Sequence, residues 1–175
     1  PCIAVIGIDK DYVIQLNPKR PFKRRQKKIK SVSLTDGVTS IGEWAFGYAN
    51  AIQSISFNEG LISIGECAFN QCKALKDISL PSTLKTIDRN AFSYTSVNTL
   101  SLPAGIESIG ESAFLYARLG KVYSPATTPP TVGETPFQYY TYNYIQIFVP
   151  EASVETYKAA NVWKNYSSHI EGYAF

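Results

Sequence analysis

The chain of 175 residues contains no methionine, a single histidine (His169) and three cysteines, Cys2, Cys67 and Cys72, none of them in a C-x-x-C pair. This poverty excludes a zinc site built on three histidines or four cysteines, and the odd cysteine leaves no complete disulfide framework. No metal site and no cofactor is expected. No stretch approaches the roughly eighteen consecutive apolar residues of a transmembrane helix, so no membrane span is expected. Nor does a signal peptide open the chain, which starts at Pro1 and, without methionine, reads as a trimmed piece. Charged residues are few, at 18%, but 45% are hydrophobic, too many for a disordered chain.

The net charge of +3 hides an asymmetry. Eight of the 17 basic residues (Lys19, Arg20, Lys23, Arg24, Arg25, Lys27, Lys28 and Lys30) fall in one short run with no acid among them. Without those eight the remainder is at −5. Two readings follow. One is polyanion binding, to nucleic acid or sulphated glycan, through Lys23, Arg24, Arg25, Lys27 and Lys28. The other is a solvated linker. One basic loop without base-stacking aromatics favours the linker, and nucleic acid is not favoured as a partner.

Self-similarity dominates the rest. The phrases IGEWAF (Ile41 to Phe46), IGECAF (Ile64 to Phe69), IDRNAF (Ile87 to Phe92), IGESAF (Ile109 to Phe114) and VGETPF (Val132 to Phe137) place phenylalanines at 46, 69, 92, 114 and 137. Each follows an apolar–polar–apolar triplet at Val32, Ile55, Ile78, Leu100 and Val122, and a sixth triplet starts at Ile145 with no phrase after it. Three residues of alternation cannot make an independent strand, but stacked copies can pair as a parallel sheet. Val32, Leu34 and their counterparts then point inward, Ile41 and its counterparts close the core opposite, and the phenylalanines fill the middle. The repeats run from Ile29, Ile52, Leu75, Val97 and Leu119, with a partial sixth from Tyr142.

Three columns invite a chemical reading. Gly42, Gly65, Asp88, Gly110 and Gly133 suggest a corner with positive φ. Glu43, Glu66, Glu111 and Glu134 read as acids at the starts of short helical turns, with Arg89 between them able to pair with Glu66 and Glu111. A carboxylate that recurs with the repeat belongs to the scaffold, so no catalytic pair is inferred. Cys72 shares a column with Ala49 and Ala117 and reads as buried. A catalytic Cys67 would need His169, the only imidazole in the chain. With no Ser-His-Asp set or phosphate-cradling loop, no enzyme is expected.

These phrases resemble the BspA-like leucine-rich repeats, whose pattern runs roughly L-x-x-I-x-L-P-x-x-L-x-x-I-G-x-x-A-F-x-x-C; LKDISLPSTLKTIDRNAFSYT, Leu75 to Thr95, shows it best. Asp88 for Gly and Ser124 for the inward Leu depart from it. The resemblance implies a bacterial protein, secreted or on the cell surface, that binds a host or extracellular protein or glycan in an adhesion role, with no catalytic residues. The fold expected is α/β: a leucine-rich-repeat solenoid with one parallel sheet, short helical turns on the convex side and a C-terminal helical cap. The segments expected are 1–28 (a capping hairpin, or a degenerate repeat, and the basic loop), 29–150 (the repeats) and 151–175 (the cap). The cap helix would start at Ser153 and run to about Trp163, with Val154, Tyr157, Ala160 and Trp163 on one stripe. A monomer is expected.

In such a solenoid the outward strand positions line the concave face. The central column reads Ser33, Ser56, Ser79, Ser101, Tyr123 and Gln146, and the one before it Ser31, Ser54, Asp77, Thr99, Lys121 and Tyr144. Nine of the 12 tyrosines lie beyond residue 115. Aromatic rings with polar tips suit binding surfaces, so the candidate ligand patch is Lys121, Tyr123, Tyr144, Gln146 and Phe148. Tyr48, Tyr94, Tyr116 and Tyr139 share a column that packs along the convex side.

Overall fold

The computed structural model describes the backbone of residues 3–6 and 13–14 and all of residues 30–137 and 145–175. The strands are β1 (Ile3–Ile6), β2 (Val13–Ile14), β3 (Ser31–Leu34), β4 (Ser40–Ile41), β5 (Ser54–Ser56), β6 (Ser63–Ile64), β7 (Asp77–Ser79), β8 (Thr86–Ile87), β9 (Thr99–Ser101), β10 (Ser108–Ile109), β11 (Lys121–Tyr123), β12 (Thr131–Val132), β13 (Gln146–Pro150) and β14 (Ile170–Tyr173). One α-helix among the described residues, α1 (Val154–Ala159), lies between the last two.

Every rung contributes two strands. The longer ones pair in parallel as β1-β3-β5-β7 and β9-β11-β13-β14, and the two-residue strands form a second parallel ladder, β2-β4-β6-β8-β10-β12. The single expected sheet therefore has a companion on another side of the coil. It forms because the backbone beside each inward Ile repeats in register, with Gly65 N–H donating to Ile41 O and Gly110 N–H to Ile87 O at 2.8 and 2.7 Å. Strands β1 and β2 join different sheets, each parallel to its neighbour in the next rung. They do not form a hairpin; the degenerate-repeat alternative describes them.

The core is the expected row. Phe46, Phe69, Phe92 and Phe114 are buried and stacked with centroids 5.1, 5.0 and 5.2 Å apart, and Phe137 continues the row at 6.1 Å. Ile41, Ile64, Ile87 and Ile109 close it, all essentially unexposed. No single rung could exclude water from this set.

The convex segments are not helical. Their N–H groups alternate between a bond within the turn (Ala45 to Gly42 O, Gly47 to Trp44 O) and one to the next rung (Phe46 to Ala68 O, Tyr48 to Asn70 O). Left-handed residues break each turn, and they sit two positions after the glycine column, at Trp44, Cys67, Asn90, Ser112 and Thr135, with φ from 49° to 57°. The expectation of positive φ at Gly42, Gly65, Asp88, Gly110 and Gly133 is thus corrected. Gly110 and Gly133 are glycine because the rungs touch there: a Cβ at Gly110 would lie 2.4 Å from Arg89 N, and one at Gly133 2.3 Å from Glu111 N, whereas the column admits a side chain at Asp88. The acids consequently start no helix. Arg89 pairs with Glu66 through Nε at 3.0 Å and Nη2 at 2.9 Å, whereas Glu111 acts on it only at longer range.

At the C-terminus α1 is shorter than expected. Ser153 precedes it without a side-chain capping bond, and Ala160 turns extended (ψ 148°), ending the helix before Trp163. The chain then coils through Trp163–His169 as a 3-10 helix. Trp163 and Tyr166 close on Phe137 at 5.7 and 5.9 Å, plugging the phenylalanine row, and Trp163 Nε1–H donates to Pro130 O at 2.9 Å. Strand β14, which was not anticipated, returns the chain to the concave sheet beside β13.

Candidate functional site

The outward residues of β3, β5 and β7 run in register along the concave face. Ser31, Ser54 and Asp77 form one row, and Ser33, Ser56 and Ser79 the next. Thr99 and Ser101 extend the pattern as the outward residues of β9. Side chains this small leave the face smooth, and Asp77 is its one charge over these four rungs.

Beyond Ser101 the face changes character. Lys121 aligns with Gln146, and Tyr123 with Phe148. The sequence had placed Gln146 beside Tyr123 and Tyr144 beside Lys121, two residues out of step. Alternation has a period of two, so a slip of two keeps every apolar residue inward and is invisible in the pattern. The step from β11 to β13 is longer than the earlier ones, and only pairing reveals where the extra residues go. Tyr144 lies outside the described residues, as do Tyr139 and the basic candidates Lys23, Arg24, Arg25, Lys27 and Lys28.

Tyr123 and Phe148 stack at 4.8 Å with an interplanar angle of 16°. Two residues absent from the sequence-based patch join them. Tyr173 stands across both rings at 5.4 and 5.7 Å, and Phe175 stands across Tyr173 at 5.0 Å. Tyr173 and Phe175 are 43% and 57% exposed, although such rings are usually covered. Alternation in IEGYAF was the available signal, a short strand at the end of the chain. Ser101, Leu102, Tyr123, Pro125, Tyr173 and Phe175 together line an open groove of about 320 Å³.

The departure at Ser124 has a structural purpose. Its hydroxyl lies 2.8 Å from Tyr157 Oη, and Tyr157 O–H donates to Ala126 O at 2.9 Å, both buried. Since the tyrosine proton goes to the carbonyl, Ser124 is the donor to Tyr157. Burial pushes the Tyr157 phenol upward, and the bond from Ser124 opposes the shift. A leucine at 124 would take away the bond donated to the phenol oxygen and leave only its bond to Ala126 O, so this rung is shaped to receive the cap.

Thiol chemistry has no support in this setting. Burial pushes Cys67 up to about 11 and Cys72 up to about 12, with Glu66 raising Cys67 further. Neither is a thiolate near neutrality. Among the described residues no group of His, Cys, Asp and Glu could hold a metal ion, and no helix is long and apolar enough to cross a membrane. On the convex side Tyr94 and Tyr116 lie 4.7 Å apart, and Tyr48 stacks on Trp44.

A parallel solenoid with a smooth hydroxyl face, an aromatic patch and a plugged end defines a repeat protein of the leucine-rich class, a class that generally serves protein interaction. Residues 18–144 match the BspA type leucine rich repeat region in six copies, and the chain belongs to that family. It is similar in fold to a leucine-rich repeat protein from Eubacterium ventriosum (22% identity, TM-score 0.65, covering 74% of this chain and 34% of that one). The pneumococcal vaccine antigen PcpA is comparable (20%, 0.63, 84% and 40%), as is a leucine rich cell surface protein from Faecalibacterium prausnitzii (21%, 0.52, 69% and 39%). The chain thus spans well under half the length of these structures. No curated protein matches it in sequence.

Proposed function

We propose that the protein is a non-catalytic, extracellular binding module of adhesion type, which holds a protein or a glycan on the C-terminal end of its concave face. The observation that carries this reading is the cluster of half-buried Tyr123 and Phe148 with exposed Tyr173 and Phe175 at the end of an otherwise small and polar strip. Rings in water at such a density give a ligand apolar area and polar tips together, the pattern of binding hot spots. Lys121 and Gln146 flank the cluster in register and supply hydrogen bonds at its rim. Tyr144 belongs to the same proposal by its place in the chain. Similarity to a protein described as a cell surface protein supports secretion or surface display.

An array of extracellular matrix proteins and glycans, probed with the unaltered chain and with Tyr123→Ala and Phe148→Ala, tests the reading. The shared hit should weaken about tenfold or more in each variant. Unchanged binding in both removes the patch. A hit restricted to polyanions and falling steeply with salt would instead assign binding to the basic run from Lys19 to Lys30.

A further inference from the structure

The groove at the C-terminal end of the concave face has the chemistry of one ligand class. We infer that it is a subsite for a neutral oligosaccharide, whose chain continues along the solenoid axis over the hydroxyl strip. The inference rests on the binding role proposed above and adds the ligand class.

Ring geometry is the first argument. Tyr123 and Phe148 stack face to face, which leaves Tyr123 its other face toward Ser101, its partner in register on β9, while Tyr173 stands at 70° and 63° to the pair and Phe175 at 70° to Tyr173. A sugar ring has a C–H face and a rim of hydroxyls. The negative face that Tyr123 keeps free attracts polarised C–H groups, and the upright Tyr173 bounds the unit laterally. Ser101 and the Tyr123 hydroxyl serve the rim.

Charge is the second. No acidic or basic side chain lines the groove, so a sulphate or carboxylate buried there would lose water without gaining a partner. The nearest charges by register are Lys121, beside Gln146, and Glu171, beside Phe148. They are opposite in sign, and the patch as a whole is neutral.

The remainder of the face separates glycan from protein. Serine is depleted in the cores of protein interfaces, and serine and threonine are under-represented among hot spots. The exposed Ser54, Ser56, Ser79, Thr99 and Ser101 make a poor anchor for a protein. Against sugar hydroxyls they exchange one set of hydroxyl bonds for another, directly or through water. Rungs spaced about 4.8 Å apart present those hydroxyls at regular intervals along the axis. A groove of about 320 Å³ admits small rings, whereas a stable protein interface covers roughly 800 Å² per partner.

Isothermal titration of the full chain with neutral hexasaccharides (β-1,4-glucan, β-1,3-glucan, β-1,4-linked N-acetylglucosamine and α-1,4-glucan), with a heparin hexasaccharide as the charged comparison, tests this. At least one neutral ligand should bind saturably, with affinity unchanged between about 50 and 200 mM salt. Tyr173→Ala and Phe175→Ala should each weaken it about tenfold, and Trp44→Ala, on the convex side, should leave it unchanged. Phe175 is 57% exposed, so its removal separates loss of binding from loss of fold. Binding of none of the neutral ligands, equal binding in both groove variants, or binding of the heparin fragment alone overturns the inference. If a matrix protein binds through Tyr123 and no sugar does, the glycan assignment falls and the interaction-module reading stands.

Discussion

The thiol of Cys72 donates to Phe46 O at 3.1 Å inside the solenoid, in the column where two other rungs put Ala49 and Ala117. Its ordinary ionisation near 9.0 is pushed up to about 12 by burial. Above pH 9 the unfolded chain therefore releases a proton that the folded chain keeps. The unfolded state then binds fewer protons, and stability falls as pH rises toward 12, by up to about 1.4 kcal/mol per pH unit for this thiol. Cys72→Ala, sized to its column, should flatten that alkaline decline in urea unfolding followed at several pH values. A slope identical to that of the unaltered chain would show that Cys72 does not titrate in this way.

Elements in this fold are small, and their spacing does the work that length does elsewhere. A two-residue strand has little strength alone, but six in register lock each rung against the next. That closeness requires glycine at Gly110 and Gly133. Gly110→Ala drives its Cβ into Arg89 N, Asp88 C and Arg89 Cα at 2.4 to 3.0 Å, all backbone, which cannot step aside. A loss of about 1 to 3 kcal/mol is expected, measured as a lower urea midpoint. Gly120→Ala is the control, because its Cβ first meets the Asn98 side chain at 3.6 Å and should cost far less. Equal effects would count against rung contact as the reason for glycine.

At the scale of the whole molecule the decisive contact joins the cap to the last rung. Tyr157 ties α1 to Ser124 and Ala126, and Trp163 ties the following coil to Pro130 and the phenylalanine row. Tyr157→Phe should leave the Ser124 hydroxyl and the Ala126 carbonyl buried without partners, lowering stability by about 1 to 3 kcal/mol in chemical unfolding. Adding Ser124→Ala should recover part of that loss, since the orphaned hydroxyl is then gone. Strictly additive losses would mean that the two hydroxyls do not act as a pair. The cap also positions the proposed site, because β14 carries Tyr173 toward Tyr123 and Phe148.

The amino-acid sequence by itself determined the repeat, the inward columns and the continuous row from Phe46 to Phe137, because a period of about 23 residues admits one way of burying all copies together. It also marked the change at Tyr123 from a hydroxyl strip to an aromatic patch. Only the tertiary structure decided that Phe148, and not Gln146, lies beside Tyr123, because alternation cannot distinguish registers two residues apart. Only the path of the chain after Trp163 decided that Tyr173 and Phe175 complete the patch: they come from a strand that no repeat encodes and that pairing with β13 sets beside the concave sheet.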